Sequence, residues 1–154
     1  RVPCKMLTQE DLDYVMKPNA EAPMLLQAEL LSEKKIAKQA SIVFVASAAA
    51  SMPSAGNAAY SASKAAIIAY AKCLAQEVAP RQIRVNSISP AMVWTDLALV
   101  GATTEQLTEA EKQYPLKRYG QPQDIAHLAV YMLSDASGWM TGSDVQITGG
   151  TQVL

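Results

Sequence analysis

The densest apolar run in the sequence, Ser41-Ile42-Val43-Phe44-Val45-Ala46, is β-branched and aromatic without a polar interruption, the pattern of a strand buried on both faces. Ahead of it, Thr8 to about Lys38 reads as helical, with Thr8 placed to cap the first turn and acids following it. Pro18 and Pro23 interrupt that stretch and predict a kink near Asn19 rather than one straight rod. After the strand, Asn57 to Ala79 is alanine-rich and helical and is ended by Pro80. Ile83 to Ile88 is a second strand, stopped by Pro90. Thr104 to Gln113 is a short polar helix. Pro122, at a first helical position, opens Gln123 to Ser134, whose Ile125, Leu128, Ala129 and Met132 share one face. Asp144 to Thr148 is a last strand before Gly149-Gly150.

Strands separated by long helices predict parallel crossover units and an α/β layer architecture. A strand as apolar as Ile42–Ala46 belongs inside a sheet, yet only two other strands are available. An exposed, apolar edge is an aggregation hazard, so the sequence reads as the second half of a larger sheet.

Composition narrows the function classes. The chain has 154 residues, suited to one domain, and its net charge of −1 gives no basic face for nucleic acid. Lys64 and Lys72 break the richest apolar stretch, which excludes a membrane-spanning run there. Cys4 and Cys73 make no disulfide framework, and no Cys/His cluster has metal-ligand spacing; a reducing, cytoplasmic setting follows as the expectation. The first glycine is Gly56, and the seven glycines build neither common type of phosphate-binding loop.

Candidate chemistry centres on Tyr60-Ser61-Ala62-Ser63-Lys64, which puts a phenol and an ammonium four residues apart on one helical face. A nearby cation favours phenolate, lowering a tyrosine pKa from about 10 towards working pH, so that the tyrosine can exchange a proton with a carbonyl or alcohol oxygen. Taken alone, the bare pair reads first as a solvated Tyr and Lys on a helix surface. Ser47 lies just past the buried strand, 13 residues before Tyr60, where parallel α/β sheets place their ligands. Asn19, between two prolines, reads either as a cap on the kink or as a side chain offered to a water chain. His127 reads as a surface or packing residue and Cys73 as a small buried hydrophobe. Met92, Trp94, Trp139 and Met140 read as core or interface packing. The small face at Ala62, Ala65, Ala66 and Ala69 allows close helix–helix approach.

Ser47, the Tyr-Ser-Ala-Ser-Lys motif and the 28-residue gap from Asn19 to Ser47 together resemble the short-chain dehydrogenase/reductase family. The likeness extends to Arg84-Val85-Asn86-Ser87-Ile88-Ser89-Pro90, to Arg118-Tyr119-Gly120-Gln121-Pro122-Gln123-Asp124-Ile125-Ala126, and to Thr141-Gly142 with Gly149-Gly150. Its closest flavour is the 3-oxoacyl-carrier-protein reductase type. The resemblance implies the C-terminal half of a Rossmann-type doubly wound parallel sheet, with the N-terminal nucleotide-binding half absent, so that 1–154 is a single incomplete domain. It implies NAD or NADP as cofactor and reversible hydride transfer between a secondary alcohol and a ketone. Tyr60 would be the general acid/base, Lys64 would hold the nicotinamide ribose, Ser47 would orient the substrate oxygen and Asn19 would support a proton relay. Pro90, Val93 and Thr95 would line the nicotinamide carboxamide, and Asp96 to Lys117 would form the substrate lid. A homodimer or homotetramer through the Tyr60 helix is implied as well. The sequence departs from the family at Pro18, at Ala91, where a glycine usually follows the proline, and at Thr148, where an acid usually precedes the two glycines. The alternative is a non-catalytic dimerising or binding fragment lacking the dinucleotide site.

Overall fold

A computed structural model describes residues 1–100 and 102–151, and for Leu97 and Leu99 the backbone alone. Gly101, inside the expected lid, lies outside the described residues. Helix α1 (Gln9–Met16) starts at a reciprocal cap: Asp11 N donates to Thr8 Oγ1 (3.2 Å) and Thr8 N to Asp11 Oδ2 (3.0 Å). Where the prolines predict a kink, the chain makes a π-helical turn over Lys17–Glu21 and runs on as α2 (Ala22–Ser32). Pro18 has no N–H to give, and the wider turn re-pairs the backbone through Ala22 N to Lys17 O.

Helix α2 stops at Ser32, six residues before the expected end at Lys38. Lys34 takes a left-handed conformation (φ 55°), while Lys35 N donates to Leu30 O (2.9 Å) and Lys34 N to Leu31 O (3.1 Å). That paired arrangement closes a helix end at a position where glycine is the usual occupant. A lysine there gives the sequence no stop signal.

Strands β1 (Ser41–Val45), β2 (Arg84–Pro90) and β3 (Asp144–Ile147) form one parallel sheet in the order β1-β2-β3. Ile42 aligns with Val85, and Ser87 with Asp144. Helix α3 (Ala58–Val78) covers one face: its Ala71, Leu74, Ala75 and Val78 form the core with Ile83 and Val85. Successive residues of a strand point to opposite faces. Arg84 therefore faces the other layer, where it meets α5 (Pro122–Leu133). Its Nη1 donates to Met132 O (2.9 Å) and Ser137 Oγ (2.8 Å), and its Nη2 to Ser134 O (2.9 Å). Asn86 Nδ2 donates to Met140 O (2.8 Å), and Ser143 N to Asn86 Oδ1 (3.0 Å). The Arg-Val-Asn segment is thus a clamp that ties the end of α5 and the approach to β3 onto the sheet.

The sheet corrects one expectation. β1 is half-buried rather than buried on both faces, and Val45 is 56% exposed. It lies at the edge, with β2 as its single strand neighbour among the described residues. One side chain also departs from its expected setting. Cys73 is exposed, because it shares the outer face of α3 with Lys72 and Gln76 while Leu74 and Ala75 take the inner one. Trp139 stands wholly in solvent, which leaves an interface rather than the core as its expected place. His127 is exposed, as expected.

Candidate active site

The chain enters α3 through Gly56, whose φ of +80° belongs to the region that glycine alone occupies freely. A Cβ there would lie 3.2 Å from Arg1 Cβ, and Val2 N donates to Gly56 O (2.9 Å). The N-terminal segment is thereby laid against the first turn of α3, which carries Tyr60. One turn further on, Lys64 folds back across the sheet edge, and its Nζ donates to Val45 O at 3.1 Å. That bond uses the carbonyl at the carboxyl end of β1, an edge strand whose single strand neighbour among the described residues is β2. The same ammonium sits 5.9 Å from the centroid of the Tyr60 ring. Burial pushes the Lys64 ammonium below its usual range, since desolvation disfavours the charged form.

Tyr60 is 36% exposed and faces two spaces at once. One is a cavity of about 280 Å³ between α1 and the start of α3, lined by Asp11, Val15 and Asn57. The other is an open cleft of about 700 Å³ whose wall includes Met92, Val93, Thr95, Ala98 and Leu107. Arg1 borders both. The structure therefore brings together Tyr60, Lys64, Val93 and Thr95 near the carboxyl ends of β1 and β2.

The other expected residues stand one step away. Ser47 follows β1 directly, but its Oγ accepts from Ala49 N (3.2 Å) as the cap of a short 3-10 turn over Ala48–Ala50, and it does not line the cleft. Asn19 is in the π-helical turn, which packs against α3; it too is outside the cleft lining. Pro90 is the last residue of β2, paired with Ile147. Sequence reasoning did not single out Arg1 or Leu107. No sequence signal pointed to Arg1, whereas Leu107 was legible as the one large apolar residue of a short polar helix, α4 (Thr104–Glu111).

The family model described as enoyl-(acyl carrier protein) reductase matches residues 2–152. The chain belongs to the short-chain dehydrogenase/reductase family. It is 35% identical over 144 residues to the 3-oxoacyl-[acyl-carrier-protein] reductase FabG of Chlamydia pneumoniae, covering 94% of this chain and 58% of that protein. It is 33% identical over 146 residues to human dehydrogenase/reductase SDR family member 4, covering 94% and 52%. Among solved structures, a short-chain dehydrogenase/reductase from Brucella melitensis superposes with a TM-score of 0.88 at 30% identity, covering 97% of this chain and 59% of that one. A 4-hydroxyisoleucine dehydrogenase solved in complex with NADH superposes with a TM-score of 0.82 at 34% identity, covering 97% and 63%. The chain thus spans a little over half the length of the curated relatives that it matches.

Among the described residues, no helix is long and apolar enough to cross a membrane, and no group of three or more His, Cys, Asp or Glu is placed to hold a metal ion.

Proposed function

We propose that these residues supply the catalytic and substrate-side half of an NAD(P)-dependent oxidoreductase that interconverts a secondary alcohol and a ketone. The observation that carries this reading is Lys64, fixed to Val45 O under the ring of Tyr60, with that tyrosine opening onto the Val93–Thr95 cleft. A desolvated ammonium is short of compensating charge. It therefore favours the negative charge that develops on the Tyr60 oxygen as the phenol gives its proton to a carbonyl. In the reverse direction the same oxygen accepts the alcohol proton. Ser47, at the rim of β1, orients the substrate oxygen, and Asn19 supports the proton relay from the π-helical turn.

The nicotinamide end of a dinucleotide fits these residues, because the cleft lies beyond the carboxyl ends of parallel strands, where such sheets take their ligands. Tyr60 and Lys64 would hold the ribose, and Pro90, Val93 and Thr95 the carboxamide. The cofactor, when bound, supplies the hydride; the protein supplies orientation and the proton. These residues hold no glycine-rich loop for the pyrophosphate; a nucleotide-binding half that paired with β1, whose single strand neighbour among the described residues is β2, would supply that cradle.

Ala62, Ala65 and Ala69 remain exposed along α3, which supports a homodimer or homotetramer through this helix. The free, exposed Cys4 and Cys73 suit a reducing, cytoplasmic setting. A second reading, a non-catalytic dimerising module, draws on the missing phosphate loop. Titration with NADH and NADPH separates the two. A polypeptide joining these residues to a family-type nucleotide-binding half is expected to bind one cofactor saturably and reduce ketones, while the 154 residues alone do neither. No binding and no turnover in the joined polypeptide, with a stable dimer, would replace the enzyme by the module.

A further inference from the structure

Helix α4, at the edge of the Tyr60 cleft, has eight residues, too few to hold its shape unaided. Six of them are exposed; Leu107 is buried and Glu111 half-buried. Those two lie four residues apart and so share a face. Leu107 lines the cleft. Glu111 turns to the wall behind it, where Oε2 accepts from Trp94 Nε1 (2.8 Å) and from Tyr119 N (3.1 Å). Tyr119 is buried, stacks edge-on against Tyr114 with centroids 5.0 Å apart and meets Trp94 at 5.7 Å. Trp94 stands between Val93 and Thr95, both of which line the cleft. Its backbone is locked in turn, because Trp94 N donates to Gly120 O and Gly120 N to Met92 O, each at 2.9 Å.

We propose that Glu111 is a positioning residue for the substrate lid, one oxygen of its carboxylate tying α4 to Trp94 and Tyr119 and thereby fixing Leu107 against the cleft. The proposal rests on the reading of that cleft as the place where the carbonyl substrate meets Tyr60 and the nicotinamide. Hydrogen bonds to an ionised acceptor are stronger than neutral ones, which suits a carboxylate to this place. The two donors also hold the Glu111 carboxyl below its usual range, so it stays ionised at neutral pH. Removing the acceptor frees the end of α4, loosens Leu107 and costs affinity for a carbonyl substrate more than it costs the chemical step.

Two readouts test this in the joined polypeptide described above. With Trp139→Phe as background, and a nucleotide-binding half chosen without tryptophan, Trp94 is the one tryptophan left to report. Glu111→Leu should at least double the acrylamide quenching of Trp94 and raise KM for a ketone about tenfold, with kcat within about threefold. Glu111→Gln keeps an oxygen acceptor and should restore both values to within about twofold of the parent. Unchanged quenching in Glu111→Leu overturns the latch whether or not the polypeptide turns over. Raised quenching with unchanged KM overturns its link to substrate. Raised quenching in a polypeptide without any ketone reductase activity leaves the latch standing and removes the enzyme reading instead. Should Glu111→Leu fail to fold, Trp94→Phe carries the test through amide hydrogen exchange of 104–111: faster exchange supports the latch, and parental exchange overturns it.

Discussion

Tyr60→Phe is expected to slow ketone reduction by about 10²- to 10⁴-fold, the usual worth of a positioned acid or base, while NAD(P)H binding stays within a few-fold of the parent. The substitution deletes one oxygen and keeps the ring that lies 5.9 Å from the Lys64 ammonium. The carbonyl oxygen then has water as its nearest proton source, and the ammonium has no phenol charge to favour. Steady-state kcat and KM with a fluorescence titration of the cofactor separate the two effects. A loss in kcat with KM nearly constant marks an interaction made in the transition state. A rate within twofold of the parent would remove Tyr60 from the chemistry.

The largest effect on stability is expected at Arg84. One guanidinium there satisfies Met132 O, Ser134 O and Ser137 Oγ, three acceptors at the carboxyl end of α5. Arg84→Met keeps much of the stem but removes the charged donor that these acceptors share, leaving Met132 O to the hydroxyls of Ser41 and Ser137 and Ser134 O to Ser137. Each hydrogen bond to a charged group is worth about 1.5–3 kcal/mol, and water recovers part of the loss, so a net cost of about 3 kcal/mol is expected. For a chain of this length that corresponds to a melting temperature lower by about 6–12 °C, measured by thermal unfolding followed by circular dichroism. A change under 2 °C would mean that the α5 end is held by other contacts. Because Arg84 lies on the face of β2 opposite the α3 core, the cost is carried by α5 and the approach to β3, not by the placement of Tyr60.

The layered fold was legible because its signals are local and strong. The β-branched run at 41–46, the alanine-rich stretch ended by Pro80 and the proline opening α5 each marked their elements to within two residues. What escaped was set by tertiary context. The early stop of α2 depends on Lys34 accepting a left-handed conformation, a cost that no local residue type announces. The exposure of Val45 follows from what pairs with β1, which no property of Val45 encodes. At the candidate site, the Tyr60–Lys64 spacing was readable because a helix turns four residues into one face. The bond from Lys64 to Val45 O was not, since it joins positions 19 residues apart through the sheet edge. Trp94 was legible as a packing residue, and Glu111 only as one position within the polar stretch 104–113; their union needs the loop at Tyr119 to bring them together.

The most direct measurement follows one deuterium. A joined polypeptide is supplied with NADH or NADPH deuterated at the nicotinamide C4, together with a panel of ketones, and the products are weighed by mass spectrometry. Hydride transfer at the Tyr60 cleft predicts an alcohol carrying a single deuterium on its carbinol carbon, in one stereochemical sense, formed at least about a hundredfold more slowly when Tyr60 is phenylalanine. Bound cofactor with no deuterated alcohol from any ketone, or equal labelling by parent and Tyr60→Phe, would contradict it.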